Sequence, residues 1–471
     1  MRLSLEFSVS QAPVVRARLS YAFRVFCAIY GHQPVTTSEA DVTIQYEGST
    51  CQGSNQSRTL RLPILYRMRS LLSPAPFPTP CETLEEGTVV FYAPQFPGAA
   101  DWLGEIFEWL SCADEYSCIQ HDAVGRVPFD LSYIGRNQLD PSVPYAAIAM
   151  RALQLELRKL MPGIALGPEC PVVPSRHFVV NTHDVDYFPL NPADSIRRLL
   201  KNATISLLLI RQASSAAAQL GLAARVFAGG TDPLDQLDRL AGGELQRHLG
   251  ASFFFIAHRL HRRDANYSIK EPQVTEAMHS LEDRGMEIGV HGSYTCLEEN
   301  RALTNEFKMF RELGFDPAGH RQHWLRFTLG RLIGAVEAAG ALYDSSLGWS
   351  QNIGFRAGAC FAFPPYCFEN ERAANFLEIP LVAMDQALLD RSAIAKVTNL
   401  LSNSRKYGWG GISMLWHPSA FGGGQFRAEM GELFWQLADT GTASGDSWVS
   451  GRQFLNVIEQ RFRQVGFLGN R

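Results

Sequence analysis

Phe178-Val179-Val180-Asn181-Thr182-His183-Asp184-Val185-Asp186 is a short apolar run that ends in hydrogen-bonding and acidic side chains. The same change of character recurs along the chain. Apolar runs occupy 252–257 (SFFFIA), 287–290 (EIGV, before His291) and 412–416 (ISMLW, before His417). Between them, Val274, Ala277, Met278 and Leu281 fall on one helical stripe that stops near Gly285. Leu329, Leu332, Ile333 and Val336 form another, and Gly340 beyond it suits a left-handed C-cap. Runs that are continuously apolar, not alternating, are what strands covered on both faces require, and strand–helix alternation makes such strands parallel. This many units in succession predicts a closed or partly closed β/α barrel, with its chemistry at the C-terminal ends of the strands.

The chain has 471 residues, more than the ~250 that a single barrel uses. Residues before about 172 lack the barrel rhythm. Leu19, Ala22, Phe23 and Phe26 have helical spacing, Val42, Ile44 and Tyr46 alternate as a half-buried strand, and Leu103, Phe107 and Leu110 share a helix face. A Pro/Ser-rich stretch, SPAPFPTP at 73–80, precedes a further predicted strand, TVVFYAP at 88–94. His121, Asp122 and Arg126 read as a solvated loop. The proline-bearing segment GPECPVVPSR at 167–176 reads as a linker. The expectation is a smaller mixed α/β domain over 1–172, then a distorted barrel over 173–471 with an Ala/Leu-rich helical insertion around 190–245.

Composition bounds the function. With 46% hydrophobic and 19% charged residues the chain can bury a large core, which excludes disorder. A net charge of −4 argues against a nucleic-acid binder held by bulk charge. The nine cysteines lack the close pairing of a zinc knuckle and read as reduced, mostly buried thiols. The start MRLSLEFSVSQAPVV has no basic segment followed by an apolar run, and the apolar stretch ATISLLLI is cut by Arg211. It is too short for a bilayer, which needs about 20 apolar residues. A cytoplasmic location without a transmembrane segment is expected.

Four polar clusters sit at predicted strand ends. Asp184 and Asp186, two apart, can divide the roles of base and metal ligand. His291 ends the second, Gly319-His320-Arg321-Gln322-His323-Trp324 places an arginine between two histidines, and Leu415-Trp416-His417-Pro418 puts a histidine in an open loop. Each alone is explained by loop solvation or by a hydrogen-bonded core histidine. Together, in order on successive units, they point to a metal site. Aspartate and histidine ligands with an open position suit Zn²⁺ or a similar divalent ion.

This order resembles the polysaccharide deacetylase family, the NodB-homology carbohydrate esterases, which carry T-F-D-D, H-S/T-x-x-H, R-x-P-Y and L-x-H motifs on a distorted β/α barrel. Thr182-His183-Asp184-Val185-Asp186 resembles the D-x-D/E form of the first motif, and the resemblance covers roughly 175–465. It implies Asp184 as general base, Asp186 and His291 as metal ligands, Arg321 as the residue that holds the base, and His417 as general acid. It further implies Leu415 lining a pocket for the acetyl methyl, the backbone N–H of Trp324 in an oxyanion hole, and Asp385 paired with His417. The region before the barrel resembles an accessory domain. Two departures stand out: the second metal histidine, four residues after His291, is Thr295 here, and the proline of R-x-P-Y is His323. His323 is the first candidate for the missing ligand, His320 the second, water the third.

The implied activity is metal-dependent removal of an N-acetyl group from an amino-sugar glycan or glycan precursor, in surface polysaccharide assembly. The implied cofactor is zinc, with cobalt, nickel or manganese as alternatives. A degenerate, non-catalytic glycan-binding barrel and a hydrolase of a small amide or ureide are the other readings. Asp344, Ser345, Ser346 and Arg356 are further candidates to face substrate, and Trp349, Trp409 and Trp416 to stack on sugar rings.

Overall fold

The computed structural model describes residues 1–7, 12–47, 58–63, 82–83, 89–90, 100–116, 118–168, 170–171, 176–299, 301–389, 392–423 and 429–468. The Pro/Ser-rich stretch, most of TVVFYAP, and the centre of the linker with the expected boundary at 172 lie outside them.

The apolar runs form strands buried along their length, as their composition requires. The parallel sheet runs, in spatial order, Leu377–Glu378, Tyr343–Asp344, Gly319–Gln322, Glu287–Gly292, Ser252–Ile256, His177–Val185, Gly410–Leu415 and Leu381–Met384. Asp446–Val449 pairs in parallel with the first half of His177–Val185. The two ends of this path are neighbours in the chain, separated only by Ile379 and Pro380. Ile379 N–H donates to Asp344 O at 2.8 Å, and Pro380 O accepts from Ser413 N–H at 2.8 Å. One extended segment therefore bridges both edges, and the sheet curls into a distorted β/α barrel. Phe253, Phe254 and Phe255 are fully buried, as a strand covered on both faces demands.

Glycine is required where Gly410–Leu415 starts. Gly410 has φ +86°, and a Cβ there would lie 2.1 Å from Phe178 O. The register shifts between Gly410 and Ile412, a bulge beside the strand that carries the acid pair. The helices Pro272–Asp283 and Leu329–Ala339 bury the predicted stripes, and Gly340 caps the second at φ 75°.

Residues 192–227 form a hairpin of two helices, Pro192–Leu208 and Ala213–Phe227. They meet over a small core of their own, Leu199, Ala223, Val226 and Leu234, apart from the main one. The next helix, Leu237–Gln246, puts Leu237, Leu240 and Ala241 into the main core instead.

The N-terminal part has a four-stranded parallel sheet in the order Gln33–Pro34, Arg2–Phe7, Val42–Glu47, Thr59–Pro63. Val42, Ile44 and Tyr46 point inward, as their alternation predicts. The helix Pro13–Tyr30 buries Leu19, Ala22, Phe23 and Phe26. The helix Trp102–Ser111 is buried on every side, not only on the face of Leu103, Phe107 and Leu110. One continuous apolar cluster runs from Leu3 through the barrel to Phe467. The Arg356 guanidinium meets Glu115 at 2.5 Å, and Tyr21 OH donates to Pro364 O at 2.8 Å.

Candidate metal centre and active site

Strand alternation decides which side chains of the first motif can act. Thr182, Asp184 and Asp186 lie on one side, Asn181 and His183 on the other. His183 is turned away from the chemistry: Nδ1 meets Trp416 O at 2.8 Å and Nε2 meets Glu244 at 2.7 Å, while Asn181 donates to the same Glu244 oxygen at 2.5 Å. That buried cluster fixes the strand, and the acid pair is left facing the barrel mouth.

Asp186, His291 and His323 converge there, each offering a ligand atom within 4.8 Å of the others. His291 Nδ1 meets Arg321 O at 2.9 Å, and His323 Nε2 meets Arg263 O at 2.8 Å. A carbonyl only accepts, so those two nitrogens carry the protons and the other nitrogen of each ring offers a lone pair. The two nitrogens left over, His291 Nε2 and His323 Nδ1, are 2.9 Å apart. Asp186 Oδ1 lies 3.2 Å from the first and 3.4 Å from the second, and is buried without a well-formed hydrogen bond. Two lone pairs and a stranded carboxylate oxygen aimed at one point fit a divalent cation, with backbone carbonyls orienting both imidazoles. Burial works against the charge of Asp186, but when these imidazoles are instead protonated, His323, with His291 and His417, holds its carboxyl well below the usual range.

Two further pairs flank this triad. Asp184 Oδ2 lies 3.5 Å from His291 Nε2, and Asp184 Oδ1 faces Arg321 Nη1 at 3.6 Å. Arg321 is completely buried and is held by Thr182 and Ser345, each 3.1 Å from Nη2. On another wall, His417 Nδ1 meets Asp385 at 2.9 Å, and the His417 backbone N–H donates to the same carboxylate at 2.9 Å. Its Nε2 points to Asp186 Oδ2 at 3.5 Å. Burial opposes the imidazolium of His417, but Asp385 and Asp186 raise its pKa well above the ordinary histidine value.

The other expected residues divide. Trp324 lines the cavity with φ 62°, half-exposed, and its carbonyl accepts from Arg126. Leu415 does not line it: the side chain is fully buried and Met384 takes that wall. Arg356 does not reach the metal cluster, because its guanidinium is committed to Glu115 and to Gly348 O. His320 is no ligand here, since it is bound to Asp344 at 2.6 Å inside the barrel. Asp344, Ser345 and Ser346 are likewise interior, bonded to His320, Arg321 and Gln322. Trp409 and Trp416 are core residues, and Trp349 packs edge-on against Phe129. None of these three lines the cavity that holds the metal cluster.

The cavity, about 520 Å³, also has walls that the motif reading passes over: Arg126, Arg198, Lys201, Arg262, Arg263 and Asp264. Three come from the loop 258–264 (HRLHRRD), which follows the strand Ser252–Ile256. A basic run directly after a barrel strand is the signal that marks it. Arg126, read as part of a solvated loop, reaches the cavity from the N-terminal part. Only the tertiary fold brings it there.

No family model and no curated protein matches the sequence. Among solved structures, an allantoinase, Puue, is similar at 11% identity over 63% of this chain and 93% of its own, with a TM-score of 0.39. A polysaccharide deacetylase from Bacillus cereus, Bc1974, is similar at 12% identity over 58% and 92%, with a TM-score of 0.30. A peptidoglycan N-acetylglucosamine deacetylase, Bc1960, is similar at 10% identity over 60% and 93%, with a TM-score of 0.29.

Proposed function

We propose that this protein is a metal-dependent hydrolase that removes an N-acetyl group from an amino-sugar glycan or a glycan precursor, and that the product serves surface polysaccharide assembly. The observation that supports it most is the convergence of Asp186, His291 and His323 on one point between two other pairs, Asp184–Arg321 and His417–Asp385. Amide hydrolysis needs an electrophile, a base for water and an acid for the leaving nitrogen, and these three groups match those needs.

Asp186, His291 and His323 are the residues that would hold the ion, zinc by the donor set. When bound, it supplies Lewis-acid polarisation of the acyl oxygen and a lowered pKa for water. Asp184 accepts the proton of the attacking water, oriented by Arg321. The Trp324 backbone N–H donates to the oxyanion that forms as the carbonyl carbon becomes tetrahedral. His417, protonated and held in place by Asp385, gives its proton to the leaving amine. Acetate and a free amino sugar result. Met384, on the cavity wall beside His417, is positioned to contact the acyl methyl.

Asp184→Asn tests the assignment. The variant is expected to lose acetate release from an N-acetylated oligosaccharide by about 10³-fold while keeping its metal, measured by elemental analysis. Asp186→Ala and His291→Ala are each expected to lose the metal. Full turnover in Asp184→Asn, or unchanged metal content in the ligand variants, overturns the reading.

A further inference from the structure

The helical hairpin carries a surface that the active site does not use. On Pro192–Leu208, Leu200, Leu207 and Leu208 are exposed, and Leu209 in the connection is 77% exposed. On Ala213–Phe227, Ala213, Ala217, Leu220, Ala224 and Phe227 follow at helical spacing along the exposed face, with Phe227 at 85% exposure. Soluble surfaces carry single exposed leucines without consequence, but a row of six large side chains on one short hairpin marks a contact site.

Charge says what covers it. Residues 192–227 hold Arg197, Arg198, Lys201, Arg211 and Arg225 against Asp194, a net charge of +4 on a chain whose total is −4. A second copy of this face would meet its own charge. An anionic lipid surface complements both the cations and the apolar row. No helix of the described residues is long and apolar enough to cross a membrane, so the fit is to lying in the interface. The hairpin is also part of the cavity: Arg198, Lys201, Asn202 and Ile205 line it, and Leu208 follows on the same helix next to that row.

We infer that the hairpin 192–227 docks the protein on an anionic bilayer and brings the mouth of the metal cavity to the lipid surface. Resting on the deacetylation reading, this narrows the substrate to an N-acetylated sugar carried on a membrane lipid.

Flotation of the full chain with vesicles tests the docking without any turnover, so it fails or succeeds independently of the catalytic assignment. The protein is expected to float with phosphatidylcholine–phosphatidylglycerol vesicles, not with phosphatidylcholine alone, and to bind less as salt is added. Replacing Arg197, Arg211 and Arg225 by Gln is expected to weaken binding about fivefold per cation. Leu207→Asp with Phe227→Asp is expected to abolish it at an unchanged melting temperature, because both side chains are exposed. Failure to float with anionic vesicles overturns the inference, as does undiminished flotation of that double variant. So does a dimer in lipid-free buffer that the same two substitutions dissolve, since a second copy would then cover the face.

Discussion

At the scale of single residues, the site depends on which hydrogen bonds leave which atoms free. His417 has one ring nitrogen and its backbone N–H both tied to Asp385, so its other nitrogen is aimed into the cavity. Asp385→Asn keeps the shape but removes the charge that holds the imidazolium. It also permits an amide N–H to face His417 Nδ1 and reverse the tautomer. We expect kcat to fall about 10²- to 10⁴-fold with metal content and melting temperature preserved. Steady-state kinetics beside elemental analysis checks this, and a variant that keeps wild-type kcat would remove Asp385 from the mechanism. Much of this was legible from the residues alone. Asp184, Asp186, His291 and His417 announce themselves by standing where an apolar run stops, and Arg321 by its place between two histidines. The resemblance implies Leu415 as a pocket wall, and the ring of Trp416 suits a sugar face, but both side chains are fully buried. Proximity to a strand end does not say which way a side chain points.

At the scale of elements, the turn after His291 is fixed from a neighbouring helix. Glu306, on Ala302–Glu312, accepts from the Ser293 hydroxyl at 2.5 Å and from the Ser293 N–H at 3.2 Å. Burial pushes the Glu306 carboxyl up to about 7 despite these bonds, from an ordinary value of 4.5. The folded state thus holds a proton that the unfolded chain has released. The stability this contributes is complete below pH 4.5 and is lost as pH rises through 7, about 3 kcal/mol over the full span. Glu306→Gln retains the shape and cannot titrate. Denaturant midpoints measured from pH 5 to 8 are expected to decline in the wild type and to run flatter in the variant; parallel curves would show that Glu306 does not titrate in this window. Nothing in the primary structure marks Glu306, because its role exists only once helix and turn are packed. Three of the cavity cations have the same origin. Arg198 and Lys201 come from the hairpin and Arg126 from the N-terminal part, and no local pattern joins them.

At the scale of the molecule, the two halves share buried surface and a buried charge pair. Glu115, on Ala113–Tyr116, meets Arg356 of the barrel at 2.5 Å with both side chains almost fully enclosed, and the Arg18 guanidinium meets Glu371 at 2.5 Å. A buried ion pair gives little net stability beside an apolar pair of the same size, but removing one partner strands a charge away from water. Glu115→Ala is therefore expected to cost about 3–5 kcal/mol, read from the shift of the denaturant midpoint. Glu115→Ala combined with Arg356→Met is expected to recover most of that loss, since no charge is then left unpaired. Because the apolar cluster is continuous from Leu3 to Phe467, fluorescence and circular dichroism are expected to report one coincident transition in each variant. Two separated transitions, with Glu115→Ala moving only one of them, would show instead that the N-terminal part and the barrel fold as independent units and that the pair merely joins them.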